Sequence, residues 1–365
     1  MNSPAIHLQK ITLLRFRCHQ AAEFVFEPGI NVICGANAQG KTSILEAVYF
    51  LMTGRSFRTP NISDLIQMGS DQGFHLETHF LKYQVQQRLK ASVHAKERYL
   101  MHNNTPCTSS AHLLGILQGV LLTPDDIQIV KGGPGFRRQF LDTQIAQVDP
   151  LYIHHFFRFQ RALRQRNALL RMQKTESIQS WEQELAQSAA YIVQQRRLTL
   201  QELENHGRAA YHFLSNEKAL LTLVYAGQAP LDITGKALLD HYIQQYAQNR
   251  SREIKVGYTL VGPHKDDINI LLDQRDLRYH ASEGEQRSGI VALRLAEWTR
   301  MQKIAQLNPL LMIDDIGVSL DDFRQKRLFE HIQRAGQVIL TTTQMSGFPS
   351  HFHVERMKVE GKAEG

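Results

Sequence analysis

Apolar and polar residues alternate from Ile6 to Phe26, the period of strands with one buried face, over a length sufficient for two strands. The turn Glu27-Pro28-Gly29 ends this stretch, and Ile30 to Cys34 (I-N-V-I-C) follows as a short β-prone run. The period then changes: Ile44, Leu45, Val48, Leu51 and Met52 recur at helical spacing. Strand character returns from Phe74 to Leu100, enough for several strands, and stops at the turn Asn103-Asn104-Thr105-Pro106. From Ala111 to about Gln248 the chain reads as mainly helical, rich in Gln, Leu, Arg and Ala, without the long heptad array that builds coiled-coil arms. Tyr258-Thr259-Leu260 and Ile268 to Leu272 resume strand character. The last segment reads strand, helix, strand over Leu310 to Ile313, Phe323 to Arg334 and Val338 to Thr343, and Val359 to Gly365 reads as a frayed tail. No repeat or low-complexity segment interrupts the pattern.

Between the run at Ile30 and the helix at Ile44 stands Gly35-Ala36-Asn37-Ala38-Gln39-Gly40-Lys41-Thr42, then Ser43, a complete G-x-x-x-x-G-K-[ST] loop set between strand and helix. Backbone N–H groups of such a loop and the helix N-terminus favour an anion. Lys41 adds a point charge for the β- and γ-phosphates, and the Thr42 hydroxyl is a Mg²⁺ ligand candidate. At the far end Pro309 to Asp315 (P-L-L-M-I-D-D) is an apolar run ending in two carboxylates, as expected of a buried parallel strand delivering acids at the carboxyl edge of a sheet. Asp314 is the candidate to hold Mg²⁺ with Thr42, and Asp315 the candidate base that polarises an attacking water. Alone, the pair also reads as a solvated acidic turn. Loop and acids lie at opposite ends yet must meet. The expected fold is therefore α/β, a mixed sheet with helices around a phosphate-loop nucleotide site. Its discontinuous nucleotide lobe covers 1–110 and 258–365, and a helical lobe over 111–257 is inserted in it.

Upstream of the acids, Ala281-Ser282-Glu283-Gly284-Glu285-Gln286-Arg287 opens a helical pattern continued by Ile290, Leu293, Leu295 and Trp298. Ser282 with Glu285 three residues on reads as a capping box. The same segment resembles the S-x-G-[QE] signature of ABC-type ATPases, whose serine and glycine N–H groups cap a γ-phosphate bound by another subunit. Val318-Ser319-Leu320-Asp321 resembles their D-loop.

Taken with Leu8, Leu13, Phe16 and Arg17, with Gly54 to Thr59, with Pro124-Asp125, with Ile129 to Asp142 (I-V-K-G-G-P-G-F-R-R-Q-F-L-D), with Gln165-Arg166-Asn167 and with Val261 to Asp267, the chain resembles the RecF family, which has an ABC/SMC-type ATPase head. The resemblance runs through nearly all of the chain. It implies ATP and Mg²⁺ binding at Gly35 to Ser43, with Lys41, Asp315 and Ser282 as catalytic candidates and Ser282 and Gly284 reaching the nucleotide in trans. One phosphate loop and one signature per chain then require two chains facing head to tail around two ATP molecules. The implied function is an ATP-gated clamp on double-stranded, gapped and single-stranded DNA. It is released by slow, DNA-stimulated hydrolysis and acts with RecR, indirectly RecO, and a recombinase. Ala38, Cys18, Glu285 and Val318 depart from the expected pattern, as does Thr343-Gln344 at the switch position. Leu121 to Asp125 stands where a Q-loop is expected, without a convincing glutamine. Fast hydrolysis is the property these departures put in doubt. A transporter-type ATPase subunit and a DNA-binding structural protein with a vestigial nucleotide site are the competing classes.

A formal net charge of +7 over 365 residues points modestly to a polyanionic partner. Arg158, Arg161, Arg164, Arg166 and Arg171 form a helical cluster that also reads as a solvated face. Arg55, Arg58, Arg137 and Arg138 are better DNA candidates, because no hydrophobic period explains their motifs. Cys18, Cys34 and Cys107 have no metal-type spacing and suit a reducing compartment. Met1 to Phe16 carries no apolar signal region and no stretch approaches a membrane span, so a cytoplasmic location is expected.

Overall fold

The computed structural model describes residues 4–94, 97–174, 176–216, 218–315 and 320–343, and the backbone of 355–358. They fall into two compact units: Met1–Asp126, Ala209–Lys218 and Ser282–Gly365 form the first, Ile127–Arg208 and Ala219–Ala281 the second.

The first unit holds two sheets. Six antiparallel strands run in the order His19–Val25, His7–Phe16, Phe74–Lys82, Val85–His94, Glu97–His102, Thr105–Cys107. Five strands form the other sheet, in the order Glu355–Lys358, Gly29–Cys34, Gln337–Thr342, Leu310–Ile313, Gly119–Leu122. Its pairings are all parallel, and three of its strands are buried at every position: Gln337–Thr342, Leu310–Ile313 and Gly119–Leu122. That double-sided burial is why Leu310 to Ile313 reads as a continuous apolar run rather than an alternation. In the antiparallel sheet Phe74–Lys82 alternates buried and half-exposed residues instead, as one packed face requires.

The helix Lys41–Thr53 is buried along its length except at Thr42 and Tyr49. A helix enclosed on all sides needs no wholly polar face, which accounts for Leu45, Ala47, Val48 and Phe50 pointing to different sides of it. These residues share one core with Leu13, Leu76 and Leu89 of the antiparallel sheet and Met312 and Ile339 of the parallel sheet. The helix Glu283–Ala305 is also largely enclosed, and its Trp298 Nε1–H donates to the Pro309 carbonyl at 2.9 Å, just before the acid-bearing strand.

The second unit is mainly helical, with Pro134–Ala146, Pro150–Met172, the helix Ile178–Ser215 as far as Arg208, and Gly235–Val256 beside an antiparallel sheet in the order Arg275–Asp276, Asp267–Leu272, Leu221–Ala226. The lobe boundaries fall at Asp126 and Ser282 rather than at 110 and 258. Gly119–Leu122 pairs with the acid-bearing strand, and Asp267–Leu272 pairs with Leu221–Ala226. The tail at Val359 to Gly365 lies outside the described residues. Among the described residues no helix is long and apolar enough to cross a membrane.

Candidate nucleotide site

The strand Gly29–Cys34 ends and the chain wraps through the phosphate loop into the helix Lys41–Thr53. Gly40 caps that helix in the left-handed region at φ 88°, and a Cβ there would stand 2.4 Å from Cys18 Sγ and 2.6 Å from His19 Nε2. Backbone strain and space both demand glycine. Ala38 adopts φ 65° without that freedom. Lys41 is buried, and its ammonium donates to the carbonyls of Gly35 and Ala36 at 2.8 Å each. Gln39 lays its side-chain oxygen over Gly35.

Thr42 and Asp314, 272 residues apart, meet: the Thr42 hydroxyl donates to Asp314 Oδ1 at 2.9 Å. Thr341, on the neighbouring strand, donates to the same oxygen at 2.7 Å and accepts the Asp315 N–H at 2.9 Å. Thr341 therefore ties the two acids together, a role its sequence position at the end of an apolar strand did not signal. Asp315 takes a left-handed φ of 47°. Burial pushes the Asp314 carboxyl above the usual range against these hydroxyl bonds; Asp315 adds to the rise and Arg58 opposes it.

Lys41, Thr42, Asp314 and Asp315 line one cavity of about 550 Å³, a volume within the range of small-molecule sites. Asn37, Ala38, Gly40 and Ser43 also face it, whereas Gly35 and Ala36 contribute the carbonyls that hold Lys41. The donor set suits magnesium triphosphate: amide groups at a helix N-terminus, an ammonium, and hard oxygens from a threonine and an aspartate. Among the described residues no cluster of three His, Cys, Asp or Glu groups is arranged for a metal ion. A Mg²⁺ here would take Thr42 and Asp314 and complete its shell with phosphate and water oxygens.

Cys18 also stands on the cavity wall, as do Arg17, Ile66 and Met68. Arg58 joins them, so the arginine singled out for DNA by its motif faces the nucleotide cavity. Arg55 is exposed and off that wall. Arg137 requires a correction. It is 5% exposed, donates through Nε and Nη2 to the two Asp267 oxygens at 2.7 and 2.8 Å, and through Nη1 to the Gly132 carbonyl. That guanidinium is committed to the fold and leaves no edge for a DNA phosphate. Arg138 is half-buried and donates to the Asp266 carbonyl at 2.7 Å. The segments 131–142 and 261–267 thus brace each other. In the arginine cluster Arg166 is fully buried between Glu182 and Glu253, while Arg161, Arg164 and Arg171 are exposed.

Ser282 caps Glu283–Ala305. Its hydroxyl accepts the Glu285 N–H at 3.3 Å, and the Glu285 carboxylate accepts the Ser282 N–H at 2.6 Å. The capping box is present. Ser282 and Gly284 are exposed and do not line the cavity of their own chain. Val318, Ser319 and Gln344 lie outside the described residues; Asp321 caps the helix Asp322–Ile332. The segment from Leu121 begins on the edge strand of the parallel sheet, where the Leu122 carbonyl accepts the Asp314 N–H at 2.8 Å.

A phosphate loop and an acid-bearing strand joined in a parallel sheet, beside an antiparallel sheet, define an ATPase-head architecture. The family model of the RecF/RecN/SMC N-terminal domain matches residues 7–360, and the chain belongs to that family. Within it the chain is 50% identical over 337 residues to the DNA replication and repair protein RecF of Protochlamydia amoebophila, covering 92% of this chain and 94% of that one. It is 33% identical to the RecF of Geobacillus thermodenitrificans, over 93% of each chain. A solved structure of the recombination mediator protein RecF-ATP in the RecFOR pathway superposes with a TM-score of 0.88 at 26% identity, covering 94% of each chain. The Smc head of Pyrococcus furiosus shares the fold at a TM-score of 0.54 and 18% identity. The chain is a recombination mediator of DNA repair.

Proposed function

We propose that this cavity binds ATP with Mg²⁺, and that ATP drives two chains head to tail into a clamp on DNA at gaps and duplex/single-strand junctions. The observation that carries the nucleotide reading is the Thr42–Asp314 hydrogen bond, which unites the phosphate loop and the acid strand on the wall of a cavity of nucleotide size. Lys41 and the loop amides would neutralise the β- and γ-phosphates. A bound Mg²⁺ would supply further charge neutralisation, held by Thr42 and Asp314. Asp315 orients and polarises the attacking water. Arg58 adds a cation to the same cavity, so its role moves from DNA to phosphate.

The exposed Ser282 hydroxyl and Gly284 N–H sit off their own cavity and suit a γ-phosphate held by a second copy. Arg55 and the Arg161, Arg164 and Arg171 face remain for DNA. RecR and, less directly, RecO are the expected partners, and the recombinase is the protein they help to load, supported by the pathway named for the solved relative. A cytoplasmic location follows from that role. The experiment is ATP-dependent retention of purified protein on gapped DNA, with Lys41→Arg as control. A guanidinium is wider than an ammonium and cannot fold back onto the Gly35 and Ala36 carbonyls in the same way. Wild type should be retained with ATP and not with ADP, and Lys41→Arg with neither. Equal retention of both proteins would refute the nucleotide-gated reading.

A further inference from the structure

We infer that Glu46 is a positioning residue of the nucleotide site. From within the phosphate-loop helix it ties down Arg17 and steers Arg58 on the cavity wall, where Arg58 meets a bound triphosphate. The inference rests on the nucleotide reading above.

Glu46 follows Thr42 by one helical turn and is fully buried. A carboxylate without water must be satisfied by protein groups, and two segments converge to do so. Arg17, just past the strand His7–Phe16, donates to both carboxylate oxygens, Nε to Oε2 at 2.8 Å and Nη2 to Oε1 at 2.6 Å. Its remaining Nη1 donates to the Asp64 carbonyl at 2.7 Å. The Ser56 hydroxyl donates to Oε1, and the same oxygen of Ser56 accepts the N–H groups of Arg58 and Thr59 at 2.9 and 3.1 Å. Glu46 therefore fixes the backbone from which Arg58 springs.

The two arginines are held differently. Arg17 is 19% exposed and its donors are committed, whereas Arg58 is 43% exposed and its Nη1 stands 3.6 Å from Glu46 Oε2. That separation is an ion pair without a hydrogen bond, so Arg58 is steered by Glu46 and keeps its donors for an incoming oxyanion. Its charge already reaches the acid cluster, where it opposes the rise at Asp314. Two guanidinium groups thus stand against one buried carboxylate, and Arg58 is the more exposed of the two.

A purely structural ion pair would lose stability and nothing else when broken. The test is single-turnover ATP hydrolysis with Mg²⁺ and gapped DNA, beside the affinity for a fluorescent ATP analogue and the melting temperature. It compares wild type, Glu46→Gln, Arg58→Ala and the double variant. Misplacing Arg58 should slow hydrolysis at saturating ATP by roughly tenfold or more in Glu46→Gln. Analogue affinity should stay within about threefold of wild type, because the charge of Arg58 remains in the cavity. The double variant should be no slower than Arg58→Ala. Wild-type hydrolysis in Glu46→Gln, or a double variant whose loss is the product of the single losses, would overturn the inference. If Glu46→Gln does not fold, Ser56→Ala carries the same test, since it loosens the Arg58 backbone and leaves the carboxylate in place. Failure of the wild-type protein to bind the analogue would instead refute the nucleotide reading.

Discussion

Asp314 and Asp315 are neighbours with different surroundings, and their chemistry should separate accordingly. Asp314 accepts two hydroxyls on one oxygen and is buried; Asp315 offers its backbone to Thr341 and its side chain to the cavity. Asp314→Asn should weaken Mg²⁺-dependent ATP binding, because a hard cation loses a charged oxygen ligand. Asp315→Asn should leave binding intact and slow hydrolysis, prolonging the ATP-bound state on DNA. Titrations with a fluorescent ATP analogue and single-turnover hydrolysis distinguish them; identical phenotypes would dissolve the division of roles. The arginines divide as sharply. Arg137→Ala breaks a largely buried bidentate pair and should cost on the order of 3 kcal/mol in urea unfolding. Its effect on DNA affinity should be confined to that loss of folded protein. Arg55→Ala should spare stability and reduce the salt dependence of DNA binding by about one phosphate contact. A reversed pattern would restore Arg137 as a DNA ligand.

At the scale of elements, the segment 261–267 is a polar knot in the second unit. Arg196 donates to the Pro263 carbonyl, Tyr225 to Asp266, and Asp267 holds Arg137. Within it His264 is depressed to about 4, by burial first and then by Lys265, Arg138 and Arg196, against a bond to the Thr259 carbonyl. The folded state therefore binds fewer protons than the unfolded chain. Stability present above the unfolded value near 6.5 is lost as pH falls toward 4. The loss is up to about 1.4 kcal/mol per pH unit. His264→Gln lacks this titration, so urea unfolding from pH 7 to 5 should narrow the gap between variant and wild type. A constant gap would place His264 in solvent.

The strand, loop and helix from Ile30 to Met52 were legible because each obeys a local rule. The acid strand was legible because burial on two faces erases alternation. The pairing of Arg137 with Asp267 was not, since 130 residues separate them and no period links them. Gly119–Leu122 and Leu221–Ala226 lay inside a stretch that reads as helical; their strand state comes from partners elsewhere in the chain. Thr341 was read as strand, but its bonds to Asp314 and Asp315 cross to a neighbouring strand and follow from no local period.

For the whole molecule, the central claim is that the exposed signature of one chain completes the cavity of another. Light scattering of purified protein with ATP, ADP or no nucleotide tests it most directly, on wild type, Ser282→Arg and an equimolar mixture of Ser282→Arg with Lys41→Arg. Wild type should dimerise with ATP alone, and Ser282→Arg should bind ATP yet remain monomeric. The mixture should recover dimers, because it rebuilds one site from an intact phosphate loop and an intact signature. Loss of the capping box alone would instead cost about 1 kcal/mol of stability with no recovery on mixing. A Ser282→Arg chain that still forms a stable ATP-dependent homodimer would contradict the account.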